Sequence, residues 1–171
     1  MLPGMTPCPA FATATLGDEA RMRAFARALA PQLAAGDAVL LTGPVGAGKT
    51  ALARALIGAL LARAGAPAEE VPSPSYTLVQ TYRAGETEIW HADLYRLGDA
   101  GELTELGLED AYADAIAVIE WADRLGPLAP PDALWVDLAP VPGRDTARAV
   151  RLAGPRRWHW AADALTAPGP A

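Results

Sequence analysis

Residues 37–56 read DAVLLTGPVGAGKTALARAL, and the fold turns on how this stretch is parsed. Val39, Leu40 and Leu41 sit in a short, nearly continuous apolar run, as expected of a strand covered on both faces. Beyond Lys49, Leu52, Leu56 and Leu60 recur every four residues, which predicts a helix that buries one face and stops near Gly65. Between strand and helix lies Gly43-Pro44-Val45-Gly46-Ala47-Gly48-Lys49-Thr50, a full match to G-x-x-x-x-G-K-[ST]. A glycine-rich match placed after a strand and before a helix predicts a phosphate-binding loop.

The chemistry of such a loop is largely backbone chemistry. Glycines permit conformations closed to other residues, so that N–H groups turn inward. Gly43, Val45, Gly46, Ala47 and Gly48 supply these groups, and Lys49, Thr50 and Ala51 add the free N–H groups and positive dipole end of a helix. Thr50 offers a hydroxyl to Mg²⁺. Lys49 is the only lysine in the chain, and the other basic residues are all arginine. A slim ammonium reaches the β- and γ-phosphates of a bound nucleotide inside a small loop, whereas a planar guanidinium is wider and prefers a fork geometry.

Working outward, a phosphate loop needs a carboxylate to help hold Mg²⁺, commonly at the end of an apolar strand. EIWHADLYRL places Asp93 in such a position, and AIAVIEW places Glu120 in another. Asp93, the shorter acid, suits the metal directly or through water, and Glu120 then orients or deprotonates an attacking water. A polar strand end facing solvent is the plain alternative for each. His91, two residues before Asp93, shares its side of the strand and is read as touching the phosphates or Asp93, or as a structural histidine. Ser73 and Ser75 are the only serines, and both fall in VPSPSYTLV. Two prolines stiffen that segment, so Ser75 is a candidate to report a γ-phosphate, with a simple turn as the alternative. Trp121 follows Glu120 and either stacks on a base or partner or belongs to the core. Arg96 either stabilises a transferring phosphate or pairs with an acid.

The remainder bounds these readings. At 171 residues the chain suits one domain, spanning 1–171, with residues 1–9 and 165–171 expected to be loose. The formal charge of −6 argues against a protein that holds nucleic acid by itself. Only Arg144, Arg148, Arg151, Arg156 and Arg157 form a basic segment, read as a solvated face with an RNA or partner contact as the alternative. The lone Cys8 excludes an internal disulfide and a multi-cysteine metal site. With no signal-like start and no spanning apolar run, a cytoplasmic protein without membrane attachment is expected. A strand at AFATAT precedes a helix from the N-cap Asp18, shortened by Pro31. Residues 75–83 and 86–92 read as an antiparallel hairpin joined at Ala84-Gly85. ELTELGLEDAYAD reads as short helix and turn, AIAVIEW as a buried strand, ALWVDLAPV and ARAVRLA as two final strands, and WAADAL as a closing helix. Strands alternating with helices make this an α/β chain with an antiparallel part.

The order GPVGAGKT, SPSYTLVQTY, HADLYRL, ELGLED, VIEWADRL closely resembles the TsaE family of small bacterial ATPases needed for threonylcarbamoyladenosine modification of tRNA. The likeness runs from about Asp18 to Leu138. It implies a three-layer phosphate-loop fold around a central mixed sheet flanked by helices. It also implies that Lys49 and Thr50 bind ATP–Mg²⁺, that Asp93 takes the metal-coordinating place, and that Glu120 is the other functional acid, within reach of the metal, with Trp121 beside it. Family members work with TsaD and TsaB, which carry out the transfer to tRNA, so tRNA contact here is expected to be indirect. Two departures stand out. Pro44 replaces the family's usual acid or amide and has no N–H, and Ser75 stands where threonine is common. A phosphate-loop small-molecule kinase is the alternative reading, although no arginine-rich lid segment is evident.

Overall fold

The computed structural model describes residues 8–169. Its strands are β1 (Ala10–Leu16), β2 (Ala38–Thr42), β3 (Val79–Ala84), β4 (Thr87–Asp93), β5 (Ala115–Glu120), β6 (Leu134–Val141) and β7 (Arg144–Ala153). They form one sheet in the order β1-β7-β6-β2-β5-β4-β3. The centre is parallel, with β2 between β5 and β6 and β4 beside β5, while β3 and the β6–β7–β1 edge run antiparallel. The expected mixed sheet is therefore present.

The helices are α1 (Glu19–Leu29), α2 (Lys49–Arg63), α3 (Ala100–Glu105), α4 (Leu108–Asp114) and α5 (Ala161–Ala164). Two hydrophobic clusters separate along the strands with the period of two that strand geometry imposes. Val39, Leu41, Ile116 and Val118 face α1, α2 and α5. Leu40, Ala117 and Ile119 face the opposite layer, built from Leu103, Leu108 and Leu125. Every residue of β2 and β5 is buried, which explains why these strands read as unbroken apolar runs.

Asp18 caps α1 by accepting from Arg21 N, and the helix yields to a 3₁₀ turn at 30–32 where Pro31 falls. Several boundaries differ from the sequence reading. The hairpin's first strand starts at Val79 rather than 75, because residues 75–77 form a turn and Leu78 takes φ +66. The hairpin loop is Gly85-Glu86, since Ala84 pairs with Thr87. Of the expected C-terminal tail, residues 170–171 lie outside the described residues, and the part before them makes hydrogen bonds as far as Ala167. Leu165 is buried, and the Arg21 guanidinium donates to the carbonyls of Ala167 and Leu165. Of the expected N-terminal arm, residues 1–7 lie outside the described residues. No helix among the described residues is long and apolar enough to cross a membrane.

Candidate nucleotide site

β2 ends at Thr42, whose hydroxyl donates to Asp137 in the middle of β6 (2.8 Å). The chain then turns at Gly43, with φ +134. A Cβ here would lie 2.1 Å from the Leu138 carbonyl oxygen, so no side chain fits where the loop crosses β6. Gly46 and Gly48 also take positive φ. Gly48 leads straight into α2, whose N-terminus carries no side-chain cap. Its first amides therefore point into the loop without a protein acceptor from the cap position. An uncapped helix N-terminus at the floor of a glycine loop is an anion site.

A cleft of about 410 Å³ opens over this loop. It is lined by Val45, Gly46, Ala47, Gly48, Lys49, Thr50 and Ala51, and across from them by Ser73, Ser75, Asp93, Tyr95, Glu120 and Trp121. Of the expected loop, acid, serine and tryptophan positions, all but Gly43 line one cavity and Gly43 forms the turn behind it, whereas the candidates His91 and Arg96 do not line it. Nucleotide-sized ligands occupy cavities of this scale.

The acids reach the cleft because of register. Asp93 and Glu120 are paired residues of parallel neighbours, so their side chains share the face toward α2. Their partners differ. Glu120, 1% exposed, accepts from the Thr50 hydroxyl on Oε1 (2.5 Å) and meets His91 Nε2 with Oε2 (2.6 Å). Asp93 accepts from Ser75 (3.1 Å) and Ser73 (3.3 Å) on Oδ2, and from Tyr95 N (3.0 Å) on Oδ1. The two serine hydroxyls also bond each other at 2.8 Å. His91 thus touches neither Asp93 nor the phosphate loop by a hydrogen bond; it serves Glu120.

Lys49 is folded back on its own loop. Its ammonium donates to the carbonyls of Gly43 (2.6 Å) and Pro44 (2.8 Å) and lies 3.8 Å from the centroid of the Trp121 ring. Burial pushes its pKa below the ordinary 10.5, and the carboxylates of Glu120, Asp123, Asp93 and Asp137 oppose that shift. Pro44 lacks an amide hydrogen, but its carbonyl also accepts from Ala47 N. Trp121 takes the left-handed conformation at φ +57, which costs a non-glycine residue about 1–2 kcal/mol. That turn sends its ring over Lys49 and against Tyr95 (centroids 4.8 Å apart).

Arg96 lies over the Tyr76 ring at 4.3 Å and does not line the cleft. Of the basic segment, Arg157 pairs with Asp37 (2.6 Å), and Arg148 donates to the Gly46 carbonyl (3.3 Å). Sequence reasoning gave Tyr95 no role in the cleft and missed Arg148's contact with the loop. Tyr95 lies two residues after Asp93 and was within reach of a local argument. Arg148 lies 102 positions from Gly46 and carries no such signal.

A glycine loop between a parallel strand and a helix, facing two buried strand-end acids, defines an α/β protein of the phosphate-loop fold. The TsaE family model, described as threonylcarbamoyl adenosine biosynthesis protein TsaE, matches residues 16–149, and the chain belongs to that family. The chain is 37% identical over 124 residues to the tRNA threonylcarbamoyladenosine biosynthesis protein TsaE of Rickettsia conorii, covering 72% of this chain and 69% of that one. It is 35% identical over 141 residues to the protein of the same name from Mycobacterium bovis, covering 77% of each. Among solved structures, Bacillus subtilis YdiB superposes with a TM-score of 0.70 at 21% identity, over 95% of this chain and 97% of that one, and so shares the fold.

Proposed function

We propose that this protein is an Mg²⁺-dependent ATPase that serves threonylcarbamoyladenosine formation on tRNA. In this reading it acts on a TsaD–TsaB transferase pair rather than carrying out the transfer. The observation that carries the nucleotide reading is the Thr50–Glu120 contact at the mouth of the glycine loop. A hydroxyl and a carboxylate one hydrogen bond apart, beside a phosphate cradle, are the hard oxygen donors that Mg²⁺ takes alongside substrate phosphate and water. No group of three or more His, Cys, Asp or Glu side chains suited to a metal occurs among the described residues.

Thr50 and Glu120 would hold Mg²⁺, and the ion would neutralise charge on the β- and γ-phosphates. This geometry favours Glu120 over Asp93 for the metal and leaves Asp93 to the attacking water. The loop amides and α2 N-terminus bind the phosphates. Lys49 leaves the Gly43 and Pro44 carbonyls to reach them, a short swing for a flexible stem. Ser75, tied to Asp93, is placed to sense whether a γ-phosphate is present. The net charge of −6 suits a subunit that leaves tRNA binding to partners.

The test is reconstitution of tRNA modification by the TsaD–TsaB pair with and without this chain, with ATP or a non-hydrolysable analogue. Sustained modification that needs both this chain and hydrolysable ATP is expected. Full modification in its absence would overturn the reading.

A further inference from the structure

His91 of the HADLYRL segment meets Glu120, and what that contact does for the site is not yet assigned. His91 is fully buried in the middle of β4, opposite Val118 of β5 and Gln80 of β3. The face it occupies is apolar: Ile89 precedes it on its own strand, and Ile116 and Val118 lie beside it on β5. Burying an imidazole there is costly unless its nitrogens are satisfied. Only one is: Nε2 meets Glu120 Oε2 at 2.6 Å, while Nδ1 has no hydrogen-bond partner. The arrangement that leaves no orphan donor is the tautomer with its hydrogen on Nε2, donated to Glu120, and a bare lone pair on Nδ1. A core histidine retained for packing alone has no need of that geometry.

We infer that His91 is a positioning residue for the metal site: by engaging Oε2 from below, it fixes the Glu120 carboxylate so that Oε1 faces the Thr50 hydroxyl and a cation bound there. The inference rests on the proposed reading of Glu120 as the acid that holds Mg²⁺. Its physical basis is ordinary. A glutamate carboxylate on three rotatable bonds has many orientations, and a donor on the far oxygen removes most of them. The chain His91–Glu120–Thr50 links the β4 core to the first turn of α2 through two short hydrogen bonds. Among the described residues no lysine or arginine forms an ion pair with Glu120, and the group that meets its far oxygen is the His91 imidazole.

Three substitutions separate this role from a structural one. In His91→Gln, the amide nitrogen takes the place of Nε2. In His91→Asn it falls one methylene short, and in His91→Leu it is missing. The measurement is ATP uptake by calorimetry as a function of Mg²⁺ concentration, with thermal unfolding of the same samples. His91→Leu and His91→Asn are expected to raise the Mg²⁺ concentration for half-maximal uptake about 10–100-fold, the usual cost of losing a group behind a metal ligand. Uptake at saturating Mg²⁺ should recover, and His91→Gln should lie near the wild type. A purely structural histidine would lower Tm in all three variants and leave the Mg²⁺ midpoint unmoved. That result, or equal midpoints for Gln and Asn, overturns the inference while leaving the nucleotide reading intact. Should His91→Leu fail to fold, the comparison of Gln with Asn decides. Absence of Mg²⁺-dependent uptake by the wild type would remove the nucleotide reading and this inference with it.

Discussion

The ends of β4 and β5 make a controlled comparison within the molecule. Both strands are parallel, both end in an acid, and Asp93 sits opposite Glu120 in register on the same face. Both carboxylates are buried, at 5% and 1% exposure. Yet Glu120 is wired inward, to α2 through Thr50 and to the sheet through His91, while Asp93 is wired outward, to the hydroxyls of Ser73 and Ser75 in the loop that leads into the hairpin. Equivalent positions in the sheet thus receive different work from their neighbours. The inward acid is coupled to the element that binds phosphate. The outward acid is coupled to a segment that is stiffened by proline and closed by the Leu78 N to Pro74 O bond at 2.7 Å.

The largest effects should come from removing charge at each acid in turn. Glu120→Gln and Asp93→Asn are both expected to lower ATP turnover by about 10²-fold or more, the range for groups that act on the proton or charge of the reacting centre. Only Glu120→Gln should also raise the Mg²⁺ requirement for ATP uptake. Matching Mg²⁺ titrations for the two variants would erase the distinction, and a shift confined to Asp93→Asn would reverse it.

How much of this was legible depends on where the determining contacts lie. The loop from Gly43 to Thr50 was readable because its shape is local. Glycines take the positive φ values, and the strand and helix on either side are set by their own apolar periods. Asp93 and Glu120 were readable as candidates for the same reason, as acids closing apolar runs. Their division of labour was not, because it is decided by residues up to 70 positions away, such as Thr50 for Glu120. His91 shows the limit most clearly. Its alternation with Asp93 placed it on the correct face, but only the parallel pairing of β4 with β5 brings Glu120 within its reach. The start of β3 was misjudged for a related reason. Ser75-Tyr76-Thr77-Leu78 has strand-like composition, but Leu78 adopts φ +66 and its backbone instead closes the serine turn.

The serine side of the comparison predicts a smaller effect. Ser75→Ala removes one of two hydroxyls from Asp93 Oδ2 while Ser73 remains within 3.3 Å. A hydrogen bond to a charged group contributes about 1.5–3 kcal/mol, and the remaining serine recovers part of it. Turnover is expected to fall about tenfold, with Ser75→Thr close to wild type because the hydroxyl is kept. Loss of the Mg²⁺ response in Ser75→Ala would mean that Asp93 and Glu120 act as one unit.

Trp121 joins the two regions, since its ring meets Lys49 on one side and Tyr95 on the other. Trp121→Gly relieves a left-handed backbone, worth about 1–2 kcal/mol, and forfeits a cation–π contact of about 0.5–2 kcal/mol. The indole also packs against Tyr95 and the cluster around Leu40 and Ile119, so lost packing outweighs the relief and the variant's urea midpoint should fall. The indole should also report nucleotide directly. When Lys49 leaves its face for phosphate, tryptophan fluorescence should change on adding Mg²⁺–ATP, and that change should vanish in Trp121→Phe. A full signal in Trp121→Phe would assign the response to another of the five tryptophans.

The smallest effect concerns the resting state of Lys49. Its ammonium is nearly buried, at 5% exposure, and burial holds its pKa below 10.5 despite four nearby carboxylates. In the unfolded chain the lysine keeps its ordinary value, so between the lowered pKa and 10.5 the unfolded state binds more protons than the folded one. Stability of the nucleotide-free protein must then rise with pH across that window. Below it, the burial penalty is constant. Lys49→Met removes this dependence, while the other titrating groups contribute alike to both proteins. The stability of wild type relative to Lys49→Met should therefore be flat below the lowered pKa and climb from there toward 10.5, as measured by urea unfolding. A difference flat throughout would mean that carboxylates such as Glu120 fully offset the burial of the ammonium, and that the loop gains no readiness to release Lys49 toward an incoming phosphate.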